Sequence, residues 1–282
     1  MSSAPTAQTE VPTIVIRPSS GWIGLKLHEL WEYRELLYFL VWRDIKVRYK
    51  QTALGVLWAL LQPLFMMLVF TLFFGRLGKL PSDGLPYSVF TLCALLPWQL
   101  FSHALTESSN SLVANERLIS KVYFPRLLVP LAAVIGGLAD FGVAFLLLLA
   151  VMIFYGVTPG IAVLALPLLI VFAIATAFAV GLWLSALNVQ YRDVRYTLVF
   201  ATQLWMFATP VAYSASLVPE GWRALYGLNP MVGVVEGFRW ALLNRSTAPG
   251  SEILVSIAAV AALLVSGLYY FRRVERTFAD VI

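Results

Sequence analysis

The residues able to do chemistry are few. Histidine occurs only at His28 and His103, and the single cysteine, Cys93, lies in an apolar run. One cysteine forms no internal disulfide, and no Cys/His cluster with metal-ligand spacing is present, so no metal is expected. There is no G-x-x-x-x-G-K-[ST] loop to cradle nucleotide phosphates, no G-x-S-x-G and no H-E-x-x-H. No catalytic residue is assigned, and no cofactor is expected on this chain.

Four groups of residues remain. The first is Asp140, in the apolar context LAAVIGGLADFGVAF. An acid inside a membrane span is a functional candidate, but it can equally bond a neighbouring helix beside Gly136, Gly137 and Gly142, and no Lys or Arg inside a span offers itself as partner. The second is the segment Trp42–Thr52, WRDIKVRYKQT, in which Arg43, Lys46 and Lys50 share one helical face. At a membrane surface that face suits phosphate-bearing headgroups and equally serves to set topology. Arg192 lies in Tyr191-Arg192-Asp193-Val194, a faint echo of Trp42-Arg43-Asp44-Ile45. The third is the loop Glu107–Arg126, ESSNSLVANERLISKVYFPR. Its serines and Asn110 are helix-start residues and Pro125 a stop, so Leu112–Tyr123 reads as a short helix that a partner protein docks on, or as a plain connector. The fourth is aromatic. Trp58, Trp98, Trp183, Trp205 and Trp240 suit interfacial belts, and Trp58, Trp98, Trp205 and Tyr213 are the candidates for a pore or sugar-facing surface.

These residues are carried by a chain that is 60% hydrophobic and 12% charged over 282 residues. Soluble domains carry roughly a quarter charged residues, and here the apolar residues come in long blocks. Six blocks have spanning length: Ala53–Gly75, Leu85–Leu105, Leu127–Tyr155, Ile161–Leu187, Thr197–Tyr213 and Ile253–Phe271. The fold class is therefore all-α, a polytopic membrane protein with six transmembrane helices. Before them, Trp22–Val41 reads as an amphipathic helix lying in the interface, with His28, Glu29, Glu32 and Glu35 on one arc. The stretch Ser214–Ser251 is too long and apolar for a solvent loop, and two short helices dipping into the outer leaflet explain it. The organisation is then a polar tail (1–21) without the long apolar core of a signal peptide, an interface helix with a basic segment (22–52), a six-span domain (53–273) with a re-entrant segment at 214–244, and a terminal tail (274–282).

Orientation follows from the basic residues. Fifteen of the twenty fall on one side: Arg17, Lys26, Arg34, Arg43, Lys46, Arg48 and Lys50, then Arg117, Lys121 and Arg126, then Arg192 and Arg195, then Arg272, Arg273 and Arg276. The other side has Arg76, Lys79, Arg223, Arg239 and Arg245. Both termini are thus expected in the cytoplasm. The net charge of +5 marks those inner loops and not a nucleic-acid partner.

In combination, several motifs resemble the membrane subunit of type-2 ABC exporters for polysaccharides, the family that includes O-antigen, capsule and teichoic-acid exporters. They are Arg43-Asp44-Ile45-Lys46-Val47-Arg48-Tyr49-Lys50-Gln51-Thr52-x-Leu54-Gly55 running into Trp58 and Pro63, Phe73-Phe74-Gly75, Asn115-x-x-Leu118-Ile119-x-Lys121-Val122-x-Phe124-Pro125, Asn188-Val189-x-Tyr191-Arg192-Asp193-Val194, and Leu228-Asn229-Pro230-Met231. The resemblance covers about residues 22–273. It implies a homodimer in the bacterial inner (plasma) membrane paired with two copies of a separate ABC ATPase, where ATP and Mg bind. It implies that the loop around Asn110–Pro125 docks on that ATPase and that a lipid-linked glycan enters near spans 1 and 5; by their position and charge, Asn115, Glu116, Arg117 and Lys121 are then the coupling candidates and Arg43, Lys46, Lys50 and Arg192 the headgroup candidates. An ABC permease for another lipid or drug, a membrane-embedded glycosyltransferase and a proton-coupled carrier are the rival readings. The enzyme would need clustered Asp, Glu or His at a membrane face, and the carrier more intramembrane charge than Asp140.

Overall fold

The computed structural model describes residues 27–50, 55–244 and 250–278. The tail 1–21, the first part of the expected interface helix, Gln51–Leu54 and Arg245 lie outside the described residues. The regular structure of the described residues is helical, without a strand: α1 (Leu27–Glu32), α2 (Arg34–Lys50), α3 (Gly55–Phe70), α4 (Tyr87–Ala114), α5 (Glu116–Lys121), α6 (Leu128–Phe154), α7 (Leu166–Gln190), α8 (Val194–Phe207), α9 (Glu220–Tyr226), α10 (Pro230–Leu243) and α11 (Ser251–Val274).

Five helical stretches are long and apolar enough to cross a membrane: Gly55–Leu77, Tyr87–Ala114, Leu128–Phe154, Ile161–Gln190 and Glu252–Val274. The block expected at Thr197–Tyr213 forms the 14-residue α8, about 21 Å long, and ends in turns at Ala208–Tyr213. It falls short of the ~30 Å hydrocarbon thickness, because Pro210 cannot donate to the helix ladder.

α4 is the central post. It is buried almost continuously from Ser88 to Leu105 and packs against α3, α6, α7 and α10. Its 28 residues make about 42 Å, about 12 Å more than the hydrocarbon, so one end stands out of the membrane. There the expectation of a loop beginning at Glu107 is corrected. Glu107–Asn110 belong to α4, and only Glu116–Lys121 form a separate helix. The side chains read as helix starts bond backwards instead: Asn110 Nδ2 donates to the Thr106 carbonyl at 2.9 Å, Ser111 Oγ to Ser108 at 2.7 Å and Asn115 Nδ2 to Ser111 at 2.8 Å.

α1 and α2 form one nearly continuous rod, with Tyr33 N bonded to Glu29 O and Leu37 N to Tyr33 O. The basic segment is therefore the end of the interface helix and not a separate linker. Leu30, Tyr33, Leu36, Leu37, Leu40 and Val41 rest on a cluster built from Phe124, Leu127, Leu128, Phe271 and Phe278. Trp31, Tyr38, Phe39 and Trp42 point away from it, exposed.

At the opposite end, Ser214–Leu243 forms a short 3₁₀ turn followed by α9 and α10. α10 is buried along most of its length against α4, α7 and α11. Two motif glycines have plain causes. Gly55 opens α3 with φ +37°, a left-handed conformation that suits glycine. A Cβ on Gly75, in the π-helical turn Thr71–Leu77, would stand 2.8 Å from the Tyr87 ring.

Candidate functional site

A cavity of about 740 Å³ lies between α3, α4, α6 and α8, with the last turn of α2 at one end. Volumes of this order are typical of ligand sites. Its wall alternates apolar groups (Pro63, Leu100, Phe141) with neutral hydrogen-bonding ones, among them Gln62, Gln99, Thr106 and Thr202, and Trp58 stands at its edge.

Charge gathers at one end. Arg48 Nη1 donates to Asp140 Oδ2, and Tyr49 Oη donates to Asp140 Oδ1. His103 Nε2 lies 3.6 Å from the same Oδ2, is buried and makes no hydrogen bond. Burial, followed by the hydrogen bond to Asp140 and its charge, pushes the Tyr49 hydroxyl up to about 12. Asp140 thus has the basic partner that no span supplies. It comes from α2, 92 residues earlier, because the end of α2 dips against α6. Arg48, Tyr49 and His103 were absent from the candidates read in the sequence. Only the registry of Arg48-Tyr49 beside the singled-out Arg43, Lys46 and Lys50 hinted at them.

The headgroup candidates occupy different surroundings. Arg43 donates Nε and Nη2 to Asp44 at 2.9 and 2.8 Å, and Nη2 also to Asn115 Oδ1 at 2.8 Å. A second hollow of about 400 Å³ lies at this junction, lined by Arg43 and Val113–Leu118. The basic helix and the docking-loop candidate are thereby one bonded unit. Lys46 and Lys50 are exposed on α2, and Glu116, Arg117 and Lys121 are exposed on α5. Arg192 is exposed in the turn between α7 and α8, whereas Arg43 lies mid-helix, so the Arg-Asp echo is not a structural repeat. Asn188 of the same motif donates to Ser109 O at 2.9 Å and to Asn110 Oδ1 at 3.2 Å, fixing α7 to α4.

Among the aromatic candidates, Trp58 lines the cavity. Trp98 is buried against Phe101, whose ring meets Trp205 edge-on at 5.0 Å. Trp205 Nε1 donates to Asn229 Oδ1 at 2.9 Å. Asn229 also accepts from Met231 N at 3.1 Å, capping α10, and donates to Ala208 O and Thr209 Oγ1 at 3.1 Å each. Its amide is fully used, which accounts for the Leu228-Asn229-Pro230-Met231 motif, with Pro230 at the first helical position. The Tyr213 hydroxyl meets that of Tyr226 at 2.9 Å. No group of His, Cys, Asp and Glu among the described residues could hold a metal ion.

Long apolar helices, a cavity among them that carries a few polar groups and an exposed helical corner fit an integral membrane protein. The chain belongs to the ABC-2 type transporter membrane family, whose match runs over residues 35–243. It is similar to the O-antigen export system permease protein RfbA of Myxococcus xanthus, 33% identical over 261 residues covering 91% of this chain and 98% of the relative. It is 28% identical over 249 residues to the protein of the same name from Klebsiella pneumoniae (88% of this chain, 95% of the relative). It is 24% identical over 238 residues to the polysialic acid transport protein KpsM of Escherichia coli (83% and 91%).

Proposed function

We propose that this chain is the transmembrane subunit of an ATP-driven exporter that moves a lipid-linked polysaccharide out of the cytoplasm across the bacterial inner membrane. The carrying observation is the cavity. It offers amide and hydroxyl groups suited to sugar and an Arg/Tyr/His cluster suited to phosphate, in a chain that aligns nearly end to end with O-antigen export permeases.

In this reading both termini are cytoplasmic, and α8 is a short sixth crossing accommodated by tilt or local thinning of the bilayer. α3 and α8 flank the cavity and carry exposed apolar side chains such as Phe65, Leu68, Phe200 and Leu204, so a second copy meets the first along them. ATP and Mg bind on two separate ATPase subunits, docked at Asn115, Glu116, Arg117 and Lys121. Lys46, Lys50 and Arg192 draw the phosphorylated headgroup to the inner surface. Arg43 transmits motion of that helix to the docking corner through Asn115.

Deleting the gene in its host tests this. Complete, lipid-linked polysaccharide should accumulate inside the cell and disappear from the surface, with synthesis unimpaired. Normal surface polysaccharide together with loss of resistance to a drug or of another exported lipid would favour the rival ABC permease reading.

A further inference from the structure

The Asp140 carboxylate is served from two other elements at once. Arg48 and Tyr49, on the last turn of α2, donate to its two different oxygens, and His103 of α4 stands behind one of them without a hydrogen bond. Three groups able to donate thus converge on one anionic group. That group lies at the rim of a cavity wide enough for a further molecule, and its side chain is 29% exposed. A plain packing contact between helices would not need the open space beside it. A phosphate is an acceptor of the same kind with more oxygens and a larger charge. It can take the Arg48 and Tyr49 bonds and also the His103 nitrogen that the carboxylate leaves unsatisfied.

We infer that Arg48, Tyr49 and His103 form a phosphate subsite, and that Asp140 fills it as an internal anion until a phosphate-bearing headgroup displaces it. The inference rests on the proposed exporter reading and deepens it. The phosphate competes with the carboxylate for Arg48, and the moiety attached to the phosphate lies along Gln62, Gln99 and Thr202 in the cavity. Displacement also frees the end of α2, whose Arg43 holds Asn115 at the docking corner, so arrival of a headgroup is felt there.

The competition has a distinctive sign. Removing the carboxylate should strengthen phosphate binding, whereas removing the guanidinium should weaken it. The test uses the assembled transporter in phosphatidylcholine nanodiscs and measures binding of a ³²P-labelled polyprenyl pyrophosphate. Asp140→Asn should bind about fivefold more tightly than wild type, a gain in the range of one partly exposed charge. Asp140→Glu, which keeps the anion, should bind as wild type, so that a folding defect in one variant does not decide the matter. Arg48→Gln should bind about tenfold more weakly, and Asp140→Asn should add nothing in that background. Unlabelled inorganic pyrophosphate should displace the probe only in large excess, since the headgroup is held together with its lipid.

Weak binding by Arg48→Gln with unchanged or weakened binding by Asp140→Asn would overturn the internal-anion role and leave the exporter reading intact. Wild-type binding by Arg48→Gln would overturn the subsite itself, while export of the polysaccharide by the same variant reports separately on the exporter reading. Displacement by inorganic pyrophosphate at the same concentration as by the lipid would overturn the lipid-headgroup assignment.

Discussion

Arg239 carries a full charge where only 2% of its side chain meets solvent. It is held by Glu236 at 2.8 Å, by the carbonyls of Val211 at 3.1 Å and Tyr213 at 3.3 Å, and by the face of Phe90 at 3.6 Å. Breaking such a pair from one side costs about 3–5 kcal/mol, because the other charge is left buried. Arg239→Met should therefore sharply lower the thermal midpoint of the purified protein, and adding Glu236→Gln should recover much of the loss. Equal damage from the single and double variants would contradict the ion pair. Tyr49 gives a pH prediction. Its hydroxyl titrates at about 12 in the folded chain against 10.0 ordinarily. The folded state therefore binds this proton more tightly than the unfolded state. The resulting stabilisation is complete below pH 10 and lost as the pH rises through 12. The stability difference between wild type and Tyr49→Phe should shrink across that window in alkaline denaturation, and a constant difference would contradict the Tyr49–Asp140 bond.

The helices themselves were largely legible, because blocked hydrophobicity marks spans regardless of tertiary detail. Helices lie at 27–41, at five of the six blocks and within 214–244, where the sequence pattern places them. What was not readable depends on pairing across the chain. Serines and Asn110 look like a helix start in sequence, yet α4 continues through them because their side chains can bond the carbonyls three or four residues back. Asp140 looked unpartnered because Arg48 and Tyr49 lie more than ninety residues away and outside every span, and no periodicity reports such a meeting. The length of α8 was misread because composition continues through Pro210 where the helix does not.

Two predictions belong to these elements. α10 touches α11 through a small residue: a Cβ on Gly233 would lie 2.7 Å from Ser256 Cβ. Gly233→Val should push the helices apart, as bulk does at small-residue contacts, and should lower both stability and export. Export at the wild-type level would place no demand on that contact. On α5, Glu116→Arg combined with Arg117→Glu should uncouple ATP hydrolysis from export while leaving membrane insertion intact. Each exposed charge is worth no more than about 1 kcal/mol, hence the double change. Normal export with unaltered ATPase association would exclude docking at this corner.

At the scale of the whole molecule, the proposed orientation, with both termini inside, rests on the asymmetry of fifteen basic residues against five. Cys93 is fully buried, so the native chain offers almost no background to a membrane-impermeant thiol reagent. A cysteine replacing Ser2 or appended after Ile282 should stay unlabelled in intact cells and label once the membrane is opened. Labelling of either from outside would refute the topology. Within that frame the molecule is a post, α4, with a cavity on one flank, the exposed α5 corner at one end and the buried α10 at the other. Its central claim is that this arrangement carries a lipid-linked polysaccharide, driven by ATP on a partner. The most direct measurement reconstitutes the chain with its ATPase in proteoliposomes containing labelled lipid-linked polysaccharide on the ATPase side, and follows its exposure on the far side with an impermeant glycan-cleaving enzyme. ATP-dependent exposure, abolished when the ATPase's phosphate-loop lysine is replaced, is the predicted result. ATP hydrolysis without any exposure of the polysaccharide would contradict the account.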